Sequence, residues 1–60
     1  MTKLDWQINI ENLAGRVAEN FGDEVALSAF RRVGATCFDD LNHFDYEEVF
    51  SDLMLMDSDC

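Results

Sequence analysis

Trp6, Ile10, Leu13, Val17 and Phe21 follow one another at steps of four, three, four and four. That spacing stacks side chains on one stripe of an α-helix and does not fit the alternation of a strand. About a third of a sixty-residue chain is thereby committed to one amphipathic helix, and the remainder has to cover its apolar side. Asp5 is placed to cap the start of this helix. Its end is expected near Asn20, because Gly22 can take the left-handed backbone conformation that closes a helix, and Asp23 can then cap the next one. The second helix is predicted to run to about Val33 with Ala26, Ala29, Phe30 and Val33 on its core stripe, and Gly34 ends it. The small alanines permit close helix packing.

Between Gly34 and Phe44 the periodicity breaks. Thr36 can cap a single helical turn there that presents Phe38 and Leu41. Asp45-Tyr46-Glu47-Glu48 then has the form of a capping box, with Phe44 as a staple residue before a third helix whose buried stripe is Tyr46, Val49, Phe50 and Leu53. There is no proline, no low-complexity stretch and no repeat to mark a linker. The predicted fold is all-α: a compact three-helix domain with an extra short helical turn between helices 2 and 3, covering residues 1–60 as one unit with a frayed tail at 57–60.

A chain of this size buries a core barely large enough to offset its conformational entropy. The composition is 48% hydrophobic, with five Phe, one Trp and one Tyr, which is enough for a folded core. An enclosed pocket would draw on the same apolar side chains, so binding through an outer face is the easier task and no enzymatic activity is expected. A homodimer that shares apolar surface would relieve the shortage of core. No apolar run approaches the length of a membrane span, and the first residues lack the basic and apolar regions of a signal peptide. Cys37 and Cys60 are expected to be free thiols in a reducing cytoplasm.

The formal charge is −9, and it is unevenly placed. Residues 1–32 carry a net −1, whereas residues 33–60 contain no lysine or arginine and carry −8. Such a balance opposes direct binding to nucleic acid or anionic lipid and favours a basic protein partner. Asp45, Glu48 and Asp52 recur at helical spacing beside Glu47, with Asp39 and Asp40 just upstream, and no i,i+4 lysine offsets their repulsion. Two explanations stay open: the acids keep a small apolar protein in solution, or they form a face that meets arginines and lysines much as a phosphate backbone does. Surfaces selected for solubility alone commonly mix both signs, which favours the second.

Other chemistry fails on residue inventory. His43 follows Cys37 by six residues, but nothing supplies an oxyanion site or an orienting group for a nucleophilic pair. Two cysteines and one histidine lack the paired spacing and ligand number of a structural zinc site. Neither the stretch from Asp39 to Glu48 nor the end from Asp57 to Asp59 has the frame of a calcium loop. No metal and no cofactor is expected. Gly15, beside Ala14, is a candidate for a close helix contact, and Arg31 and Arg32 for a solvated pair that complements the dipole of the second helix. Leu53, Met54, Leu55 and Met56 form an unbroken apolar run that one narrow stripe cannot bury, so one or two of them must face outward. Two readings of the run stay open, a helix end that covers the bottom of the core, which is the favoured one, and an adaptable contact patch for which Leu55 and Met56 are candidates.

The set Phe21-Gly22-Asp23, Gly34-Ala35, Phe38-Asp39-Asp40-Leu41, Asp45-Tyr46-Glu47 and Val49-Phe50 with Leu53 resembles a short helical segment of bacterial mobile-element proteins. In type, a tiny acidic helical protein is similar to the anti-CRISPR proteins of phages, several of which block a nuclease by occupying its nucleic-acid site. Anti-CRISPR families share no common signature, so this likeness transfers no functional residue. It implies an inhibitor in the host bacterial cytoplasm that offers Asp39, Asp40, Asp45, Glu47, Glu48 and Asp52 to a basic cleft of a nucleic-acid-binding enzyme. The alternative is a small adaptor or dimerisation module that uses the apolar end of the third helix, with the acids serving solubility.

Overall fold

The computed structural model describes residues 2–58. Three α-helices follow in chain order: α1 (Lys3–Phe21), α2 (Asp23–Arg31) and α3 (Tyr46–Ser58). A 3-10 turn at Phe38–Asp40 lies between α2 and α3, and a second at His43–Asp45 runs straight into α3. The described residues contain no strand, and the all-α three-helix architecture with its extra turn is the predicted one.

Helix α1 is the axis of the molecule. Nineteen residues span about 28 Å at 1.5 Å each, which accounts for the longest extent of 29 Å. Its start is set by Thr2 rather than Asp5. The Thr2 hydroxyl accepts from the Asp5 N–H at 3.2 Å, and the Asp5 carboxylate accepts from the Thr2 N–H at 3.3 Å, a reciprocal capping box. One residue, Gly22, joins α1 to α2, closing the first by donating to the Ala18 carbonyl and standing at the N-cap of the second. With φ 110 and ψ 151 it is not in the left-handed helical well but in an extended region open only to glycine. Asp23 is therefore the first residue of α2, not its cap. Phe21, expected on the core stripe, is the last residue of α1 and is exposed.

Helix α2 closes with paired hydrogen bonds, Ala35 N–H to the Phe30 carbonyl and Gly34 N–H to the Arg31 carbonyl, each 3.0 Å. Gly34 at φ 80 makes this a Schellman ending, and the buried Ala35 supplies its apolar contact. The core collects Ile10, Leu13 and Val17 from α1, Ala26, Ala29 and Phe30 from α2, and Tyr46, Val49 and Leu53 from α3. Ala35, Phe38 and Leu41 of the connection complete it. Ile10, Val17, Val49 and Leu53 are fully enclosed, each contributing about 1.5–3 kcal/mol by leaving water. At one end Trp6 meets Phe50 edge-on at 5.9 Å and Tyr46 at 6.2 Å, and Tyr46 stacks on Phe38 at 5.0 Å. Gly15 makes no close contact within the chain, since a Cβ there would meet nothing within 4 Å.

Candidate functional site

The segment from Thr36 to Glu48 alternates buried anchors with displayed polar groups. Phe38, Leu41 and Tyr46 are buried, while Asp39, Asp40, Asn42, His43, Phe44, Glu47 and Glu48 are exposed. Local hydrogen bonds shape it. Asp40 N–H donates to the Cys37 carbonyl and Leu41 N–H to that of Phe38, closing the first 3-10 turn. The Thr36 hydroxyl does not cap this turn, whose N-cap is Cys37, but donates to the Asp40 carboxylate. Leu41 and Asn42 are extended, which carries the chain to the start of α3.

There the expected Asp45 capping box gives way to an earlier start. The Asn42 side-chain oxygen accepts from Phe44 N–H at 3.2 Å, and Asp45 N–H donates to the Asn42 carbonyl at 2.8 Å, so Asn42 opens a 3-10 turn that leads into α3. Phe44 is no staple: it is 79% exposed, its ring against His43 at 4.0 Å. The Phe38–Tyr46 stack joins the turn that bears Asp39 and Asp40 to the first residue of α3, whose first turn bears Glu47 and Glu48. Those two carboxylates complement the positive end of the α3 dipole.

The acids expected on one face divide into two kinds. Asp39, Asp40, Glu47 and Glu48 are exposed, Asp45 is half-buried, and none of the five takes part in an ion pair among the described residues. Asp52 is turned inward instead. One carboxylate oxygen accepts from Arg32 at 2.9 Å, and the other is enclosed without a hydrogen-bond partner. Helical spacing alone groups Asp52 with Glu48, but Arg32, at the close of α2, makes it a tie between that segment and α3. Arg32 is correspondingly not a merely solvated residue. Asp57 pairs with Arg16 of α1 at 3.0 Å, and α3 continues through Asp57 and Ser58 where fraying was expected. Asp59 and Cys60 lie outside the described residues.

The apolar run at the end of α3 splits as its length requires. Leu53 is buried and Met56 half-buried against the core, whereas Met54 and Leu55 are 50% and 68% exposed. Met54 was missed as a surface residue, although its neighbour Met56, three positions after buried Leu53, is the one that helical geometry returns to the core. Cys37 and His43 are both exposed, and the described residues contain no group of His, Cys, Asp and Glu suited to a metal ion. No helix among them is long and apolar enough to cross a membrane.

The chain matches no family model, no curated protein and no solved structure.

Proposed function

We propose that this chain is a protein-binding inhibitor that presents the segment 39–48 to a basic, nucleic-acid-binding surface of a bacterial enzyme, acting in the host cytoplasm. A CRISPR-associated nuclease is the type of target that the resemblance suggests. The observation that carries the proposal is the division of the acids: Arg16 and Arg32 are engaged by Asp57 and Asp52, while Asp39, Asp40, Glu47 and Glu48 stand exposed outside any ion pair among the described residues. Carboxylates held on a fixed backbone can receive arginine and lysine side chains without first giving up an internal partner. Phe44, exposed in their midst, offers an aromatic anchor of the kind that concentrates binding energy inside a polar rim. Asp52 drops out of the binding set, and Asp45 is at its edge.

The test is protection of DNA from cleavage by a purified nuclease complex as the chain is added, at low and high salt. Added salt should weaken protection steeply. Combined reversal of Asp39→Lys, Glu47→Lys and Glu48→Lys should abolish it while the far-ultraviolet dichroism stays helical; protection that survives the reversal would falsify the proposal.

A second proposal, favoured by Met54 and Leu55 at the surface, is an adaptor or homodimer that closes on the end of α3. There Leu55→Asp, not the acid reversal, would abolish association, which sedimentation measures directly. Met56, half-buried against the core, would contribute only its edge.

A further inference from the structure

A groove of about 450 Å³ runs between α1 and α2, away from Glu47 and Glu48. Ala14, Gly15 and Ala18 line it from α1 and Leu27 from α2, with the buried Phe30 and Phe38, and the exposed Thr36 and Cys37 of the connection also border it. Gly15 is otherwise unexplained. It lies inside a helix at an exposed position, where glycine costs about 0.5–1 kcal/mol relative to alanine, yet nothing in the chain approaches the place of its missing Cβ. Leu4 and Ile8 continue the same side of α1, lying eleven and seven residues before Gly15, steps that return to one stripe of a helix. Both are exposed, at 63% and 49%. Glu11 and Asn12, both exposed, stand between this apolar pair and Gly15 on the same side of the helix, so Leu4 and Ile8 lie beyond the acidic edge of the groove and outside its lining.

We infer that this groove is the docking site of an amphipathic helix from a partner protein, apolar along its inner side and basic along its margins. The charges select the occupant. Glu11 on one wall and Asp23 on the other are the charged residues that line the groove among the described residues, and both are exposed acids. A second copy of this chain, at net charge −9, would bring like charges together there, whereas arginines and lysines flanking an apolar stripe would meet both carboxylates. Small side chains on the α1 wall let a helix backbone come near, and Leu27 with the aromatic floor receives side chains spaced at i, i+4 and i+7. An enclosed polar ligand fits less well, because the buried lining residues, Ala26, Phe30 and Phe38, are apolar and the neutral polar ones, Thr36 and Cys37, are exposed. The groove shares Phe38 with the turn that bears Asp39 and Asp40, but its two lining acids, Glu11 and Asp23, belong to α1 and α2 and not to the segment 39–48.

The probe is a synthetic helical peptide of about four turns with leucines at i, i+4 and i+7 and lysines on its flanks, compared with one that carries glutamates in place of the lysines. Amide resonances of the isotopically labelled chain are followed during titration. The lysine peptide should move Gly15, Ala18 and Leu27, and the glutamate peptide should not. Gly15→Phe fills the groove at a position with free space, and Ala18→Gln narrows it by a second route. Each should weaken binding roughly tenfold or more, the size of a hot-spot loss. Glu47→Gln with Glu48→Gln should leave the affinity of this peptide within about twofold, because neither residue lines the groove and both are exposed charges that salt screens. Three results would overturn the inference: no shift at the groove amides, equal binding of the glutamate peptide, or groove shifts that depend on protein concentration alone and so report a second copy. Loss of nuclease protection on acid reversal, with peptide binding intact, would separate this site from the acidic segment.

Discussion

The two ends of the base-free stretch carry acids of the same type and use them differently. At its C-terminal end Asp52 and Asp57 are tied to Arg32 of the segment closing α2 and to Arg16 of α1, so each joins α3 to an earlier element. At its N-terminal end Asp39, Asp40, Glu47 and Glu48 are held on a rigid aromatic base and point to solvent. A local count of bases would treat all six alike. The difference shows that charge excess becomes display only where the fold brings no arginine back. The first end bears on stability and, under the proposed function, the second on recognition, and the following substitutions test that division.

The largest effect is expected beneath both ends. Leu53 is fully enclosed and directly follows Asp52. Leu53→Ala should cost about 2–5 kcal/mol through lost burial and the cavity left behind, enough to melt much of so small a domain. Urea titration should show the midpoint falling sharply, and any binding by the acidic segment should fall with it. If binding persisted after helicity was lost, the displayed acids would not need their rigid base, and the comparison would fail.

Arg32→Met comes next. Exposed ion pairs contribute about 0–1 kcal/mol, but removing Arg32 leaves a carboxylate whose second oxygen is already enclosed without a partner. A loss of about 1–2 kcal/mol is expected, toward the range for a buried acceptor deprived of its donor. Adding Asp52→Asn to Arg32→Met should restore part of it, because the uncompensated charge is then gone, and a double-mutant cycle measures the coupling. Independent, additive effects would mean that the pair ties nothing.

These pairs also mark the limit of what the sequence makes legible. The α1 stripe of Trp6, Ile10, Leu13 and Val17 is visible because helical spacing is a local property, and the positions of Gly22 and Gly34 are visible because they interrupt it. The Thr2 and Asp5 capping box was available in the same way, as threonine followed three residues later by an acid, although Asp5 alone looks an adequate cap. At α3 two local signals compete, Asn42 and Asp45, and either can open a helix. Burial of Leu41 and the stack of Phe38 on Tyr46 favour the earlier start, and both are tertiary facts. Asp52 and Arg32 are twenty residues apart and Asp57 and Arg16 forty-one, so no periodicity links them. The acidic site was therefore readable as a composition and a spacing, but the subset engaged by arginine was not. The groove was less visible still, since its walls are small residues of two helices whose approach only packing determines.

Arg16→Met should have a smaller effect than Arg32→Met. Arg16 is largely exposed and its partner sits in the last turn of α3, so a loss within about 1 kcal/mol is expected, as for surface pairs generally. It should be confined to the helix end, seen as faster amide exchange at Met54 to Ser58 with the core unchanged. Uniform acceleration across α1 and α3 would instead make this pair a support of the whole packing.

The smallest effect on stability is expected where the effect on binding is largest. Glu47→Gln with Glu48→Gln removes two exposed carboxylates outside any ion pair among the described residues. Two contributions oppose each other: neutral side chains lose the attraction to the positive end of the α3 dipole, about 0.3–1 kcal/mol per charge, and relieve like-charge repulsion in a stretch that carries −8. Both are screened by salt, so the net change should lie within about 0.5 kcal/mol, as for surface positions generally, and shrink further as salt is added. Affinity for a basic surface has no such cancellation, because each lost carboxylate is a lost partner for an arginine or lysine. An unchanged melting curve with weakened nuclease protection is the expected pair of results. Their reverse, a shifted curve with full protection, would assign these acids to the fold and leave the displayed end of the molecule without its role.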